Sequence, residues 1–481
     1  MMLPRNKTKI VCTIGPSSES PEVMEKMIRA GMNVARLNFS HGDFESHRAV
    51  VRNLRSAAQA AGTRLAIMGD LSGPKMRIGR LAEEPVELKP DDSFVLTIDE
   101  IVGDAGRVSV TFSRLPQAVR PGDTLFLNDG IIQLEVSAVK GNEVICRVVV
   151  GGELRSHKGL NLPGIKLGIS AFTERDHASL KFAAEEGLDA VSQSFVETGA
   201  DIRAVRQAAD ALGYHPFIIA KIERSNALDH MDDILDATDG IMIARGDLGV
   251  EVPIERIAVI QKDLMLQANR RAKPVITATQ MLESMTENRR PTRAEVTDVS
   301  NAILDGTDCV MLSGESAMGK FPVDAVEMLV KIASTVEPQR RMVSVRDLYQ
   351  GIDIRSSLKL SHLITIAIEA SLEYASAAAV FVPTHSGATA RSLSIFKLPV
   401  WTIGISSSQK ACQGMVFSSG VYPVFNEDHP KDYTSFVRTW IKEHEIQGEI
   451  AVLTEGPSSK HPEANNRMEI IDLRSQRGKQ A

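Results

Sequence analysis

From residue 9 to residue 336 the chain alternates short apolar, β-branched runs with amphipathic stretches, and the alternation breaks only once. Runs of that kind read as buried parallel strands, because a strand covered on both faces keeps no polar side. The predicted strands are Lys9–Gly15, Asn33–Ser40, Arg64–Leu71, Leu188–Phe195, Pro216–Glu223, Gly240–Ala244, Pro274–Ala278 and Cys309–Leu312. The predicted helices between and after them are Pro21–Ala30, a stretch reaching about Ala61, Thr173–Glu186, Asp201–Leu212, a short stretch through Leu235, Ile254–Arg271, Thr292–Leu304 and Val323–Val336. The Thr-Glu-Arg-Asp start at Thr173 suits helix capping. Eight strand–helix units predict a (β/α)8 TIM barrel in residues 1–72 and 165–340, with an active site at the C-terminal ends of its strands. An open doubly wound sheet is the alternative, but it does not usually bring so many strand ends to one point.

The break lies at residues 73–164, where Ser93–Ile98, Thr124–Leu127, Ile131–Val136 and Val144–Val150 are short strand-like runs separated by Gly-Asp, Asn-Asp-Gly, Gly-Asn and Gly-Gly turns. That predicts a small all-β insertion. Residues from about 340 to 355 are polar and weakly patterned, and read as a linker. Residues 345–481 read as a further α/β domain, with a helix at Leu363–Tyr374, strands at Ala379–Val382, Val400–Gly404 and Ile450–Thr454, and an edge strand at Ile470–Asp472.

Composition narrows the functional classes. With 43% hydrophobic and 24% charged residues, a chain of 481 residues suits a soluble protein of two to four domains. A net charge of -6 and the lack of a basic arm give no reason to expect a nucleic-acid partner. Cys12, Cys146, Cys309 and Cys412 are far apart without metal-ligand spacing, which fits a reducing, cytoplasmic setting. No signal-peptide core and no membrane-spanning run is seen.

Two strands end in charge. In Phe217-Ile-Ile-Ala-Lys-Ile-Glu223, Lys221 and Glu223 are two apart and point to one side of an extended chain. In Gly240-Ile-Met-Ile-Ala-Arg-Gly-Asp247, Asp247 follows the apolar run. Charge at such places is costly unless paired or metal-bound. An ammonium and two carboxylates there would suit a divalent metal and an anionic substrate; a structural ion pair is the plainer alternative. Arg36 to Ser40, Asp70, Thr279 and Ser313 to Glu315 fall at other strand ends.

Several runs together resemble the pyruvate kinase family. They are Lys7-Thr-Lys-Ile-Val-Cys-Thr-Ile-Gly-Pro16, Gly31-Met-Asn-Val-Ala-Arg-Leu-Asn-Phe-Ser-His-Gly42, Lys158-Gly-Leu-Asn-Leu-Pro-Gly164, Ala220-Lys-Ile-Glu223, Ile243-Ala-Arg-Gly-Asp-Leu-Gly-Val-Glu251, Lys273-Pro-Val-Ile-Thr-Ala-Thr-Gln-Met-Leu-Glu-Ser-Met285, Arg290-Pro-Thr-Arg-Ala-Glu295 and Met311-Leu-Ser-Gly-Glu315. The resemblance implies a barrel, an inserted small β-barrel lid domain and a C-terminal α/β regulatory domain. It implies transfer of a phosphoryl group from phosphoenolpyruvate to ADP, giving pyruvate and ATP, by a homotetramer needing Mg2+ or Mn2+.

By the same resemblance, Lys221 would face the transferring phosphoryl group and enol oxygen. Glu223 and Asp247 would hold the metal. The N–H groups of Gly246 and Asp247 would face the substrate carboxylate, with Gly246 permitting a tight turn there. Thr279 would add a hydroxyl, although alone it also reads as a helix N-cap. Arg36 would contact phosphoryl oxygens or serve in a structural ion pair, and Arg245 would support its neighbours. Ser313, Glu315 or water ordered by Thr279 would relay a proton to the enolate. His41, Arg77 and Lys158 resemble nucleotide contacts. A metal-dependent pyruvate-enolate lyase or aldolase on a related barrel is the rival enzyme class, and a catalytically silent scaffold a third. Neither explains the lid, Lys221 and the nucleotide-side cations together.

The chain departs from the family pattern after the third strand. The common form is Asp-Thr-Lys-Gly-Pro-Glu-Ile-Arg; here it is Asp70-Leu-Ser-Gly-Pro-Lys-Met-Arg77. In the common form, groups matching Asn38, Ser40 and Asp70 hold K+. Leu71 replaces the threonine, and Lys75 brings an ammonium that would take the ion's place, so K+ is not expected to be required; a lysine reaching out to solvent is the alternative. Asn128-Asp129-Gly130 stands where Asp-Asp-Gly is usual in the lid, and Ser225-Asn226 departs just after the Lys-x-Glu motif without an evident reason. Thr384, His385, Ser386, Gly387, Ala388 and Thr389 resemble the family's effector phosphate loop. The distal loop Glu455–Glu463 does not resemble a bisphosphate clamp, which leaves a sugar-monophosphate or AMP effector, or none, open.

Overall fold

A computed structural model describes residues 3–348, 360–428, 430, 432–456 and 466–474. Among them, eight parallel strands close into a barrel. They are β1 (Lys9–Thr13), β2 (Val34–Asn38), β3 (Ala66–Leu71), β4 (Ala190–Gln193), β5 (Phe217–Ile222), β6 (Gly240–Ala244), β7 (Val275–Ala278) and β8 (Cys309–Leu312). The outer helices are α1 (Pro21–Ala30), α2 (Phe44–Ala61), α3 (Glu174–Glu185), α4 (Gly199–Ala211), α5 (Met231–Ala237), α6 (Ile257–Arg270), α7 (Arg293–Leu304) and α8 (Pro322–Val336). Several strands stop short of the apolar run that announced them. β4 ends before Phe195, whose φ of 59° leaves the extended region. β5 ends at Ile222, so Glu223 lies just past the pairing.

Local chemistry starts the helices where the sequence placed them. Thr173 accepts from the Asp176 N–H while Asp176 returns the bond, a capping box at α3. Thr292 and Glu295 repeat the device at α7. Strand alternation then sorts side chains. Val11, Val34, Met68, Ile219, Met242 and Ile276 fill the barrel interior, while Ile10, Cys12, Leu37 and Ile67 pack outward against the helices. Phe417, from the C-terminal part of the chain, joins the interior cluster and stacks on Phe217 at 5.0 Å. Val416 and Phe417, in the turn after the helix Gln409–Met415, thus cover the barrel's N-terminal end, opposite the strand ends that carry charge.

Between β3 and α3 lie a six-stranded sheet and the two-stranded pair Val86–Leu88 with Gly152–Leu154. Isolated bridges Arg77–Gly159, Ile78–Val110 and Leu81–Gly103 tie the inserted segments together around Phe94, Leu96, Leu125 and Leu134. Arg107–Ser109 and Leu160–Asn161 add strands too short to show a period in sequence. The C-terminal sheet has the order Val421–Phe425, Trp401–Ser406, Ala377–Pro383, Ile450–Glu455, Arg467–Asp472, and the last strand is antiparallel. The strand Val421–Phe425 contains Pro423, which hid it, since proline is tolerated only on a sheet edge such as this one. The predicted linker is not free. Met342, Val343, Val345 and Leu348 pack into the C-terminal core. Residues 349–355 of that linker and 457–463 of the distal loop lie outside the described residues. No helix among the described residues is long and apolar enough to cross a membrane.

Candidate active site

A cavity of about 120 Å³ opens at the C-terminal ends of the barrel strands, with Arg36, Lys75, Lys221, Glu223, Asp247, Thr279 and Ser313 in its wall. The inward face of β5 carries Phe217, Ile219 and Lys221 in succession, which delivers the ammonium to the top of the interior column. Lys221 Nζ lies 2.8 Å from Glu223 Oε1 and 3.4 Å from the Asp70 carboxylate, and donates to Ser194 Oγ at 2.7 Å. Asp70 also accepts from Ser192 Oγ at 2.6 Å and from Arg36, whose third contact is a 2.8 Å bond to Thr13 Oγ1. Burial works against charge on Asp70, but Arg36 and Lys221 outweigh it and hold its carboxyl well below the usual range. Burial likewise disfavours the Lys221 ammonium, yet Asp70 and Glu223 raise its pKa above the ordinary value. Arg36 is therefore both an ion-pair partner and a cavity wall.

Glu223 accepts the Phe195 N–H at 2.8 Å with its second oxygen. Asp247 has no cation bonded to it among the described residues. Burial and the Glu223 charge push its carboxyl up to about 6, against the pull of Lys221 and Lys75. Arg36, Lys75 and Lys221 line the same cavity, so the case for a metal rests on the two carboxylates that face it together, one of them, Asp247, without an ion pair among the described residues. Among the described residues no three His, Cys, Asp or Glu side chains converge as a metal cage. A pair of carboxylates suits Mg2+ or Mn2+, hard ions that keep waters and take substrate oxygens, rather than a structural zinc.

Thr279 is not a helix N-cap. Its φ is 70°, a rare conformation for a β-branched residue and one that accumulates at functional sites. Its Oγ1 accepts from the Gly246 N–H at 2.7 Å and donates to Ala278 O at 2.6 Å. Arg245 anchors the strained segment, donating to Thr279 O at 2.9 Å and to Asp298 at 2.6 and 2.7 Å. The tight turn expected of Gly246 is absent. It sits in the first turn of a helix, Arg245–Glu251, without positive φ. A Cβ there would meet Thr279 at 3.5 Å, an ordinary contact, so the backbone does not demand glycine. Glu315 is also reassigned. Fully buried, it accepts the Leu282 and Ser313 N–H groups at 3.0 and 2.7 Å, so its oxygens are occupied in holding loops. That leaves Ser313 and Thr279 as the hydroxyls at the cavity.

On the cavity's outer side the charges are positive. His41 is exposed, and its pKa is lowered by burial of part of its ring and by Lys75, Arg77, Arg36 and Arg175. Arg77 donates to His157 O at 2.8 Å, and Lys158 sits on the facing segment, its carbonyl accepting the Ile78 N–H at 2.9 Å. Arg175, which donates to Phe39 O at 3.1 Å, escaped the sequence reading. The available signal was a basic residue in the first turn of α3, where the helix dipole disfavours it.

Near β3, Asn38 Oδ1 accepts the Ser40 N–H at 3.2 Å, and Ser40 Oγ lies 2.9 Å from Ser72 Oγ. Leu71 turns outward into the helix-facing core. Lys75 lines the cavity; burial and Lys221 lower its pKa, while Asp70, Glu223 and Asp247 attract its charge.

The insertion reaches the site from two directions. Asn128 and Asp129 have φ of 52° and 56°, and a Cβ on Gly130 would meet Val250 Cγ2 at 3.1 Å. Its turn therefore rests on the helix that carries Asp247. At its return, Arg224 donates to Leu162 O at 3.4 Å and Ile165 O at 2.7 Å, and lies 3.5 Å from both Glu197 and Glu251. Ser225 has a role after all: its Oγ accepts the Gly164 N–H at 3.2 Å and donates to Glu251 at 3.3 Å. Far away, Thr384 Oγ1 and Ser386 Oγ accept the Gly387 and Ala388 N–H groups, His385 O accepts from Ser406, and Thr389 follows in the helix Ala388–Ser394.

The whole chain has relatives. Residues 5–326 match the family described as pyruvate kinase, barrel domain, and residues 362–471 its alpha/beta domain. A pyruvate kinase of Thermococcus litoralis is 46% identical, over 98% of this chain and 100% of its own. One of Geobacillus stearothermophilus is 39% identical, over 97% of this chain and 80% of its own. The crystal structure of a pyruvate kinase from Cryptosporidium parvum superposes with a TM-score of 0.89 at 35% identity, covering 97% of this chain and 96% of that one. The chain belongs to the pyruvate kinase family.

Proposed function

We infer that Lys221, Glu223 and Asp247 carry the chemistry of a phosphotransferase. The enzyme passes the phosphoryl group of phosphoenolpyruvate to ADP, giving pyruvate and ATP in the last step of glycolysis. The observation that supports the roles best is Lys221 Nζ wedged between Asp70 and Glu223 beside an unpaired Asp247. Phosphoryl transfer asks for positioning and charge neutralisation rather than covalent help. The Lys221 ammonium offsets charge on the enol oxygen as it develops. Arg36, locked by Asp70 and Thr13, presents its guanidinium to phosphoryl oxygens without reorganising. Thr279 and the Gly246 segment fix the substrate carboxylate, and Ser313 or Thr279 passes the proton to the enolate. His41, Arg77, Lys158 and Arg175 gather the nucleotide phosphates. A divalent cation, used throughout the family, would be held by Glu223 and Asp247 and would neutralise phosphoryl charge when bound. Turnover of phosphoenolpyruvate with ADP and Mg2+ tests the assignment against the lyase and scaffold alternatives.

The Asp247 carboxyl gives a test by pH. Raised to about 6, it holds a proton that a metal must displace below that pH. The activation constant for Mg2+ should climb roughly tenfold per unit as pH falls below the shifted value. In Asp247→Asn the constant should be higher at pH 8 and flat with pH. A wild-type constant independent of pH from 5 to 8 would remove Asp247 from the metal site.

Lys75 supports activity without K+. The region around Asn38, Ser40 and Asp70 must accept an anionic substrate, and an ammonium tethered there is always present. Turnover in tetramethylammonium buffer at fixed ionic strength should rise less than about tenfold, ~1.4 kcal/mol, on adding KCl. Lys75→Glu should become dependent on KCl. The loop Thr384–Thr389 suits the phosphate of a small effector such as a sugar monophosphate or AMP, and the assembly is proposed to be a homotetramer.

A further inference from the structure

The neighbouring strands β1 to β5 each carry a polar side chain on the inward row near the top of the barrel: Thr13, Arg36, Asp70, Ser192 and Lys221. Two positions below them, Val11, Val34, Met68, Ala190 and Ile219 fill the interior column. Arg36 and Lys221 form cavity wall. Ser192 is fully buried and does not line the cavity, so it acts on a substrate only through its neighbours.

The Asp70 carboxylate is shared between strands. Its Oδ2 accepts Arg36 Nε–H at 3.1 Å and Nη2–H as well. Its Oδ1 accepts the Ser192 hydroxyl at 2.6 Å, a short, charge-assisted bond. Ser192 stands directly opposite Asp70 across the β3–β4 ladder, so two hydrogen-bonded strands bear the tether. Lys221 Nζ lies 3.4 Å from each Asp70 oxygen, longer than an ordinary N–H···O bond. Its close partners are Ser194 at 2.7 Å and Glu223 at 2.8 Å. The ammonium thus stands astride a carboxylate whose oxygens are already engaged.

We propose that Ser192 is a positioning residue for the phosphoryl-transfer step: its hydroxyl fixes the Asp70 carboxylate and so keeps the Lys221 ammonium free for the reacting oxygen. The inference rests on Lys221 being the group that offsets charge on the developing enolate. Rotation of an aspartate carboxylate about Cβ–Cγ is soft. Here one oxygen is tied to β4 and the other to Arg36, and the plane is held. Without the hydroxyl, Oδ1 is buried and short of a donor, and Lys221 Nζ is close enough to replace it. The ammonium then closes on Asp70 and away from the substrate. Arg36 moves less, because Thr13 Oγ1 holds its Nη1 at 2.8 Å independently of Asp70. Loss of the hydroxyl therefore weakens stabilisation of the transition state more than substrate binding.

Ser192→Ala in the full-length enzyme separates this role from that of a merely structural hydrogen bond. Turnover per folded enzyme, at saturating phosphoenolpyruvate, ADP and Mg2+, should fall about tenfold, with KM for phosphoenolpyruvate within about twofold of wild type. The decisive comparison is a double-mutant cycle. In the Lys221→Met background the same substitution should cost less than about twofold, because the ammonium it misplaces is gone. A structural role gives equal losses in both backgrounds. The proposal is overturned if Ser192→Ala keeps kcat within about twofold of wild type, if its loss lies wholly in KM, or if the loss is as large without Lys221 as with it. Lys221→Met turning over within about tenfold of wild type rejects the role of Lys221 itself, and that of Ser192 with it. A large loss in Lys221→Met with none in Ser192→Ala rejects the role of Ser192 alone.

Discussion

Lys221→Met is expected to cut turnover by about a hundredfold or more, ~3 kcal/mol in the barrier, while divalent metal still binds. No other ammonium can substitute. Lys221 Nζ is held by Ser194, Glu223 and Asp70 at 2.7, 2.8 and 3.4 Å, while Lys75 touches none of them. The direction of the metal effect separates lost chemistry from lost structure. With the ammonium gone, Glu223 has more negative charge to offer, so metal affinity should hold or rise. The measurements are turnover at saturating ADP and Mg2+, and a separate titration of the metal. A variant within about tenfold of wild type would reject the role, because a charge contact in a dry site is worth more than ~1.4 kcal/mol.

Arg224→Met should cost about 3–5 kcal/mol of stability, because it removes one partner from a buried ionic cluster and strands the rest. Arg224 is 1% exposed, and its loss leaves Glu251, already raised in pKa by burial, without the charge that restrains it. The carbonyls of Leu162 and Ile165 lose their donor as well. Magnitude decides what kind of residue this is. Arg48 meets three glutamates to the two of Arg224, but at 35% side-chain exposure, where such pairs contribute at most about 1 kcal/mol. Urea denaturation of both Arg→Met variants gives the comparison. Equal, small losses would show that the Arg224 cluster is no more than a surface network.

The barrel was legible because its strands are buried on both sides and so read as unbroken apolar runs. Charge was legible where it interrupted them, as at Lys221 and Glu223. Hydroxyls were not. Ser192 and Ser194 hold Asp70 and Lys221, but a small polar residue in a short strand disturbs no pattern. Glu315 shows the opposite error: a carboxylate at a strand end reads as chemistry, and only the positions of the Leu282 and Ser313 N–H groups reveal a clamp. Gly246 was singled out for a turn it does not make, because a short helix, Arg245–Glu251, which the sequence reading did not foresee, begins straight after the strand. Ser225 could not be understood at all until Gly164 and Glu251, 61 and 26 positions away, were in place.

The stacked pair Phe217 and Phe417 bears on how distant parts of the molecule communicate. Phe217 begins β5 and Lys221 lies near its other end, on the same inward row. The strand is hydrogen-bonded on both sides, to β4 and β6, and so behaves as a stiff rod. Four residues of extended chain span about 13 Å. A displacement of Phe417 by anything that shifts the C-terminal sheet therefore presses on the foot of a short piston whose head is the ammonium. A shift of about a tenth of that length would be enough to alter a hydrogen bond such as the one Lys221 makes to Ser194.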